Sequence, residues 1–317
     1  MQEKQKELFE QYDMELLHIR RGRRGIVCET NRGAYDLQMC SYSPKRLEQA
    51  YEIKEQLMQK GFLYVDQYMR NKEGELLTYD RYQTAYVMKR HFDGKECDIK
   101  NQRDIKAAGE QLGNLHQMLR RIQTDGYPVK KTGFEQKTRE LLRTKQYLTR
   151  KNEKKEFEVL FQRYFDLFAK EMKQVPTLHG YIPRICHGCC HQHHLIILPE
   201  KEMAVIHFEQ FYVGNQLEDV FYLLRKILEK NHYEFFYGQI FLEAYARCCP
   251  LKKEEYEDLY AMLFYPEKYW KLANQYMNRR KTFLSPKLTE KLLEIVELEK
   301  RKVEFLQMYC SYYLQKS

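Results

Sequence analysis

The chain has 317 residues, 43% apolar and 31% charged, a balance that excludes disorder and allows two lobes or one large core. Its formal charge of +9 suits an acidic partner, but acids and bases interleave, as in KNEKKEFE at 151–158. No segment concentrates bases among spaced aromatics, so a nucleic-acid platform is excluded. No apolar run is long enough to cross a bilayer, and MQEKQKELFEQY lacks the apolar core of a secretory signal. The expected setting is therefore the cytoplasm, with the nine cysteines as reduced thiols. Tyrosine is the unusual count, 26 against one tryptophan, which hints at assembly with other proteins, although half-buried packing accounts for most of it.

In chain order, Arg24–Thr30 and Ala34–Cys40 read as strands joined through Asn31-Arg32-Gly33, a hairpin signal. The basic turn before them, Arg20 to Gly25, reads as an exposed arginine-rich hairpin that could also grip an anion. Ser43-Pro44 opens a helix whose Leu47, Ala50, Tyr51 and Leu57 share a face up to Gly61. Strands are expected at Phe62–Met69, Leu76–Asp80 and Ala85–Phe92, the last ending at Asp93-Gly94. From Asp98 the pattern turns helical, beginning with the amphipathic Ile105–Leu119. Residues 134–174 predict two helices, and Leu195–Leu198 and Ala204–Phe208 predict short strands. Helices follow at 217–230, 233–247, 252–263 and 287–316. The fold class is α+β, with a β-rich lobe over residues 1–92 and an α-helical lobe over 93–317.

Residues 186–194 read CHGCCHQHH, and VIHFE follows at 205–209. As a metal site, the ligand candidates are Cys186, Cys189, His194, His207 and Glu209, with Cys190, His191 and His193 nearby. A structural zinc site usually pairs two separated couples, and the only other couple, Cys248-Cys249, sits at a helix end. Neighbouring residues on extended chain also point apart, so these histidines cannot all converge.

The surrounding pattern offers a second reading. His187-Gly188 resembles the opening of the HGDxxxxN catalytic loop of the aminoglycoside-phosphotransferase and choline-kinase branch of the kinase-like fold. VIHF resembles the strand that ends in that branch's metal-binding Asp, and Leu217-Glu218-Asp219 resembles the signature whose Asp braces the loop. More narrowly, ICHG at 185–188, LGNLH at 112–116, DVFYLLRKILEKN at 219–231 and YPEKYWKLANQYMN at 265–278 resemble the CotS-like spore-coat family of endospore-forming bacteria. The resemblance implies a two-lobed kinase-like fold, with His187 and Asp219 as the structural brace of the loop. It also implies that Cys189 stands at the catalytic Asp, His194 at the metal-binding Asn, His207 at the metal-binding Asp and Gln38 at the phosphate-binding Lys.

Thiol and imidazole are poor ligands for hard Mg²⁺, and glutamine supplies no positive charge to a phosphate. The expectation is a pseudokinase without a cofactor, acting by association with other proteins in spore-coat assembly, in the mother-cell cytoplasm or the coat. One alternative is an active ATP- and Mg²⁺-dependent hydroxyl kinase using relocated carboxylates such as Glu209, Glu202 or Glu200. Another is a metal-binding protein that reuses the Cys/His cluster.

Overall fold

The computed structural model describes residues 7–23, 25–131, 133–278 and 286–315. Its N-terminal lobe is built on an antiparallel sheet of β1 (Leu16–Arg21), β2 (Ile26–Thr30), β3 (Gly33–Met39), β4 (Tyr68–Met69), β5 (Thr78–Tyr79) and β6 (Ala85–Arg90). The order is β1-β2-β3-β6-β4, with β5 also on β6. The β2–β3 hairpin closes at Thr30↔Gly33, as the turn residues predicted. Arg24, the expected first residue of β2, lies outside the described residues.

Helix α1 (Pro44–Gln59) packs on this sheet. Pro44 fits the first helical position, and the Ser43 side chain accepts the Arg46 N–H. Leu47, Ala50, Ile53 and Leu57 are fully buried in the cluster that also holds Tyr68 and Val87 of the sheet.

The C-terminal lobe contains α2 (Gln102–Leu119), α3 (Glu135–Thr149), α4 (Glu156–Gln174), α5 (Leu217–Lys230), α6 (Phe235–Cys248), α7 (Lys253–Phe264), α8 (Glu267–Met277) and α9 (Pro286–Tyr309). At the α2–α6 crossing, a Cβ on Gly109 would lie 2.5 Å from the Phe241 carbonyl oxygen. Glycine there lets the two backbones approach closely. Two small sheets interrupt the helices. One joins β7 (Lys95–Glu96), β9 (Leu195–Ile197) and β10 (Met203–Val205); the other pairs β8 (Arg184–Cys186) with β11 (Tyr212–Gly214).

Of the 26 tyrosines, nine are buried, thirteen half-buried and four exposed. Phe157, Phe161, Phe165 and Phe168 line one face of α4 and meet Tyr265, Tyr269 and Tyr276 in a second core. Tyr269 stacks on Phe161 at 4.4 Å and on Phe168 at 4.3 Å, and its hydroxyl donates to the Phe161 carbonyl at 2.6 Å. YPEKYWKLANQYMN is therefore helix α8 and its entry turn, with its aromatics packed in this core.

Several expectations change in detail. The strand expected over Phe62–Met69 shrinks to β4 and a bridge from Val65 to Val205. Strand β1, the β8–β11 pair and helix α8 are additions. The last expected helix ends at Tyr309 and continues as a π-helical turn over Cys310–Leu314, while residue 316 lies outside the described residues. Among the described residues, no helix is long and apolar enough to cross a membrane.

Candidate functional site

Strand β8 delivers the chain into the loop His187-Gly188-Cys189. Asp219, in the first turn of α5, accepts the backbone N–H of His187 at 2.7 Å and of Gly188 at 2.9 Å. It also meets His116 Nε2 at 3.4 Å, while His116 Nδ1 contacts the Tyr245 hydroxyl at 2.8 Å. Burial alone would raise the Asp219 carboxyl, but His116 and the loop N–H groups outweigh it and hold the group below its ordinary value. His187 is fully buried; its Nε2–H donates to the Ile206 carbonyl at 2.9 Å and its Nδ1 accepts the Cys189 N–H at 3.3 Å. With both nitrogens used and burial lowering its pKa, the imidazole is neutral. Gly188 has φ +83°, and a Cβ there would sit 2.1 Å from the Gln210 carbonyl oxygen. A side chain is thus barred twice, by conformation and by space.

Above this loop lies a group of buried charges. Lys89 on β6 places its ammonium 2.7 Å from Glu209 and 3.3 Å from Asp66. Asp66 also pairs with Lys54 of α1 at 2.7 Å. Glu209 accepts the Tyr68 hydroxyl at 2.6 Å, and Asp66 accepts the His207 backbone N–H at 3.1 Å. Two lysines and two carboxylates thus neutralise one another in a region almost closed to water. Burial disfavours the Lys89 ammonium, but Asp66 and Glu209 hold it charged, above the ordinary lysine value. Burial likewise would raise Glu209, yet Lys89 and His207 pull it well below the usual carboxylate range.

The four positions at which the resemblance implies replacements lie around this group. Gln38 lies on β3, nearly buried and facing the cleft, on the same side of the strand as Asp36. Asp36 pairs with His91 at 3.0 Å, so an acid and an imidazole stand beside Gln38. His207 adopts a left-handed conformation, φ +68°, and its Nδ1 lies 3.5 Å from Glu209. Cys189 is half-buried, and burial pushes its thiol up, away from the reactive thiolate. His194 donates from Nδ1 to the Cys189 carbonyl at 2.8 Å.

The cleft between the lobes has a volume of about 100 Å³, lined by Arg23, Gln38, His91, Glu96, Ile196 and His207 among others. Small-molecule sites ordinarily span about 300–1,000 Å³. Its mouth is crossed by Glu96, which pairs with Arg23 of the basic turn at 2.6 Å and with His193 at 2.5 Å.

The metal-ligand set expected from the sequence is only partly assembled. Cys189 and His194 come together, but with His191, their ligand atoms all within 4.8 Å of one another. Cys186 is not part of this group; it is fully buried in β8, with its thiol turned to the Arg184 carbonyl. Glu209 is also outside it, because Lys89 and Tyr68 already hold the carboxylate. The His207 ring stacks on His194 at 4.5 Å but does not join the three. Glu200 and Glu202 are on the exposed β9–β10 turn. Burial, followed by neighbouring imidazoles, lowers His191 to about 4 and His194 to about 2, so both are neutral.

Lys54, Asp66, Lys89 and His116 went unread in the sequence. One signal was available: Leu47, Ala50, Lys54 and Leu57 form a 3-4-3 stripe, which puts a lysine on the buried face of α1. Lys89 and Glu209 are 120 residues apart, and nothing local couples them.

The phosphotransferase enzyme family profile (APH) matches residues 35–248, more than half of the chain. Comparison with curated proteins finds no match. Among solved structures, an aminoglycoside phosphotransferase from Alicyclobacillus acidocaldarius subsp. acidocaldarius DSM 446 is similar, with TM-score 0.84 and 16% identity over 97% of this chain and 96% of that one. The AMP-bound spectinomycin phosphotransferase APH(9)-Ia gives TM-score 0.67 and 12% identity, covering 96% of this chain and 97% of the other. A microcompartment-associated aminopropanol kinase gives 0.64 and 13%, covering 96% and 95%. At these identities the structural likeness speaks for the fold alone. The matched profile runs from β3 through the loop and its brace to α6, and the chain belongs to the phosphotransferase enzyme family.

Proposed function

We propose that this chain is a catalytically silent member of its family, a pseudokinase that keeps the fold and acts by associating with other proteins. The observation that carries the reading is Lys89. Its ammonium stands between Asp66 and Glu209, the two buried carboxylates of the cleft, where a hard divalent ion would need both. The replacements at Cys189, His194, His207 and Gln38 support the same reading, because none supplies what Mg²⁺ or a phosphate requires. The role proposed is assembly of a spore coat from the mother-cell cytoplasm, supported by the likeness of ICHG and YPEKYWKLANQYMN to the CotS-like family. Met39, Tyr42, Tyr79 and Tyr82 are exposed apolar or aromatic side chains of the N-terminal lobe that suit contact with other proteins.

The test is a thermal-shift titration of the full chain with ATP, with and without Mg²⁺. A ligand at a hundredfold its dissociation constant adds about 2.7 kcal/mol to a folded state that alone binds it. The expected result is no shift with nucleotide. A Mg²⁺-dependent rise with ATP overturns the reading and favours the second one, an ATP- and Mg²⁺-dependent kinase of a small-molecule hydroxyl. What favours that second reading is the pair Asp66 and Glu209 meeting at one point, provided that Lys89 can swing away.

A further inference from the structure

We propose that Cys189, His191 and His194 form a binding site for a borderline transition-metal ion such as Zn²⁺, built on the loop that follows β8. This goes beyond the silent-kinase reading and does not depend on it. The three ligand atoms lie within 4.8 Å of one another, and all three side chains are partly exposed, so an ion can enter. Tetrahedral zinc bound by sulfur and nitrogen holds its ligand atoms about 3.3–3.8 Å apart, from bond lengths of about 2.0–2.3 Å. The gap that ion binding would have to close is about an ångström.

Local structure explains the convergence. Gln192–His194 is a single 3₁₀ turn, and His191 is its N-terminal cap. In such a turn residues three apart eclipse, which brings the His191 and His194 rings to 3.8 Å. Gly188, in its left-handed conformation, then turns Cys189 back toward the same point.

A second feature is independent of proximity. His194 donates its Nδ1 proton to the Cys189 carbonyl at 2.8 Å, which fixes the tautomer and leaves the Nε2 lone pair free. A carbonyl holding the far nitrogen is the usual support of a metal-bound histidine. His191 differs: its Nδ1 accepts the His193 N–H at 3.3 Å, a long bond that metal binding would replace. Cys189 would bind as the thiolate, its proton passing to solvent. Two imidazoles and one thiolate leave a fourth position open, for water or for a side chain of a partner protein.

Co²⁺ is the first probe, because a cobalt–thiolate bond has a charge-transfer band that imidazole alone does not give. The metal-free full chain should take up a single equivalent of Co²⁺ with that band, and Zn²⁺ should displace it. Cys189→Ser should abolish the band, His191→Ala and His194→Ala should each weaken affinity by about tenfold or more, and Cys248→Ser should change nothing. No band in millimolar Co²⁺, or a band that survives in Cys189→Ser, overturns the proposal. If the variants fail to fold, alkylation of the wild-type chain decides: Zn²⁺ should protect Cys189, and equal labelling with and without Zn²⁺ overturns it. None of these outcomes depends on the response to ATP.

Discussion

The loop at His187–Cys189 and the cleft wall at Lys89 and Glu209 both bury polar groups, but they answer to different partners. In the loop, Asp219 and His187 bond to backbone N–H and carbonyl groups, and so define the path of the chain. In the cleft wall, Lys54, Asp66, Lys89 and Glu209 bond chiefly to one another's side chains. A carboxylate that holds backbone is needed by any protein with this fold. A carboxylate that holds a lysine is a local arrangement, able to change without moving the backbone. The difference separates groups that fix the path of the chain from groups that fix one another.

Five variants break or sharpen that comparison. The largest effect is expected from Asp219→Ala, which strands two loop N–H groups and His116; urea melts should register a loss of about 3–5 kcal/mol. A loss under about 1 kcal/mol would mean that the brace is dispensable. Lys89→Met should come next, at about 3 kcal/mol, because it leaves Glu209 without a cation. Its cost should fall in a Glu209→Gln background by a coupling of about 0.5–3 kcal/mol, read from a double-mutant cycle. An additive cycle would show that the two groups do not depend on each other.

Gly188→Ala should cost about 2 kcal/mol or more, from its left-handed backbone and from the Gln210 carbonyl in the way. The smallest effect concerns His91. Burial lowers its pKa, but Asp36 and then Asp93 raise it further, so the folded value stands above the unfolded one. Its contribution to stability is therefore complete below the unfolded value, about 6.5, and lost as pH rises through the folded value. Imidazole titration by NMR should show the raised value, and Asp36→Asn should bring it down.

The sequence carried the two-lobed plan well, since α1, α2 and the β2–β3 hairpin each have a local signal in apolar spacing or turn residues. The replaced positions at Cys189, His194, His207 and Gln38 were legible only against a family pattern. Strands β8 and β11 have three residues each and pair across a long loop, too short for any alternation to show. Helix α8 was read only as a family motif, although Tyr269, Leu272, Ala273 and Tyr276 stand at helical spacing on its buried face. The ion group was hidden for another reason: the partners of Lys89 are distant in sequence, and a lysine in a strand reads as exposed. His191 was passed over as one histidine among several, because the 3₁₀ turn that stacks it on His194 has no sequence mark of its own.

The ammonium of Lys89 also bears on how this protein could change. Placing a carboxylate at position 207 alone would put a third acid beside Asp66 and Glu209, with the same two lysines to balance it. That step adds an uncompensated buried charge before it offers any metal a site. Removing Lys89 first is no easier, since it exposes the same carboxylates to each other. On the silent-kinase proposal, gaining a metal site here costs stability whichever substitution comes first, so the tethered cation works as a ratchet on the lineage.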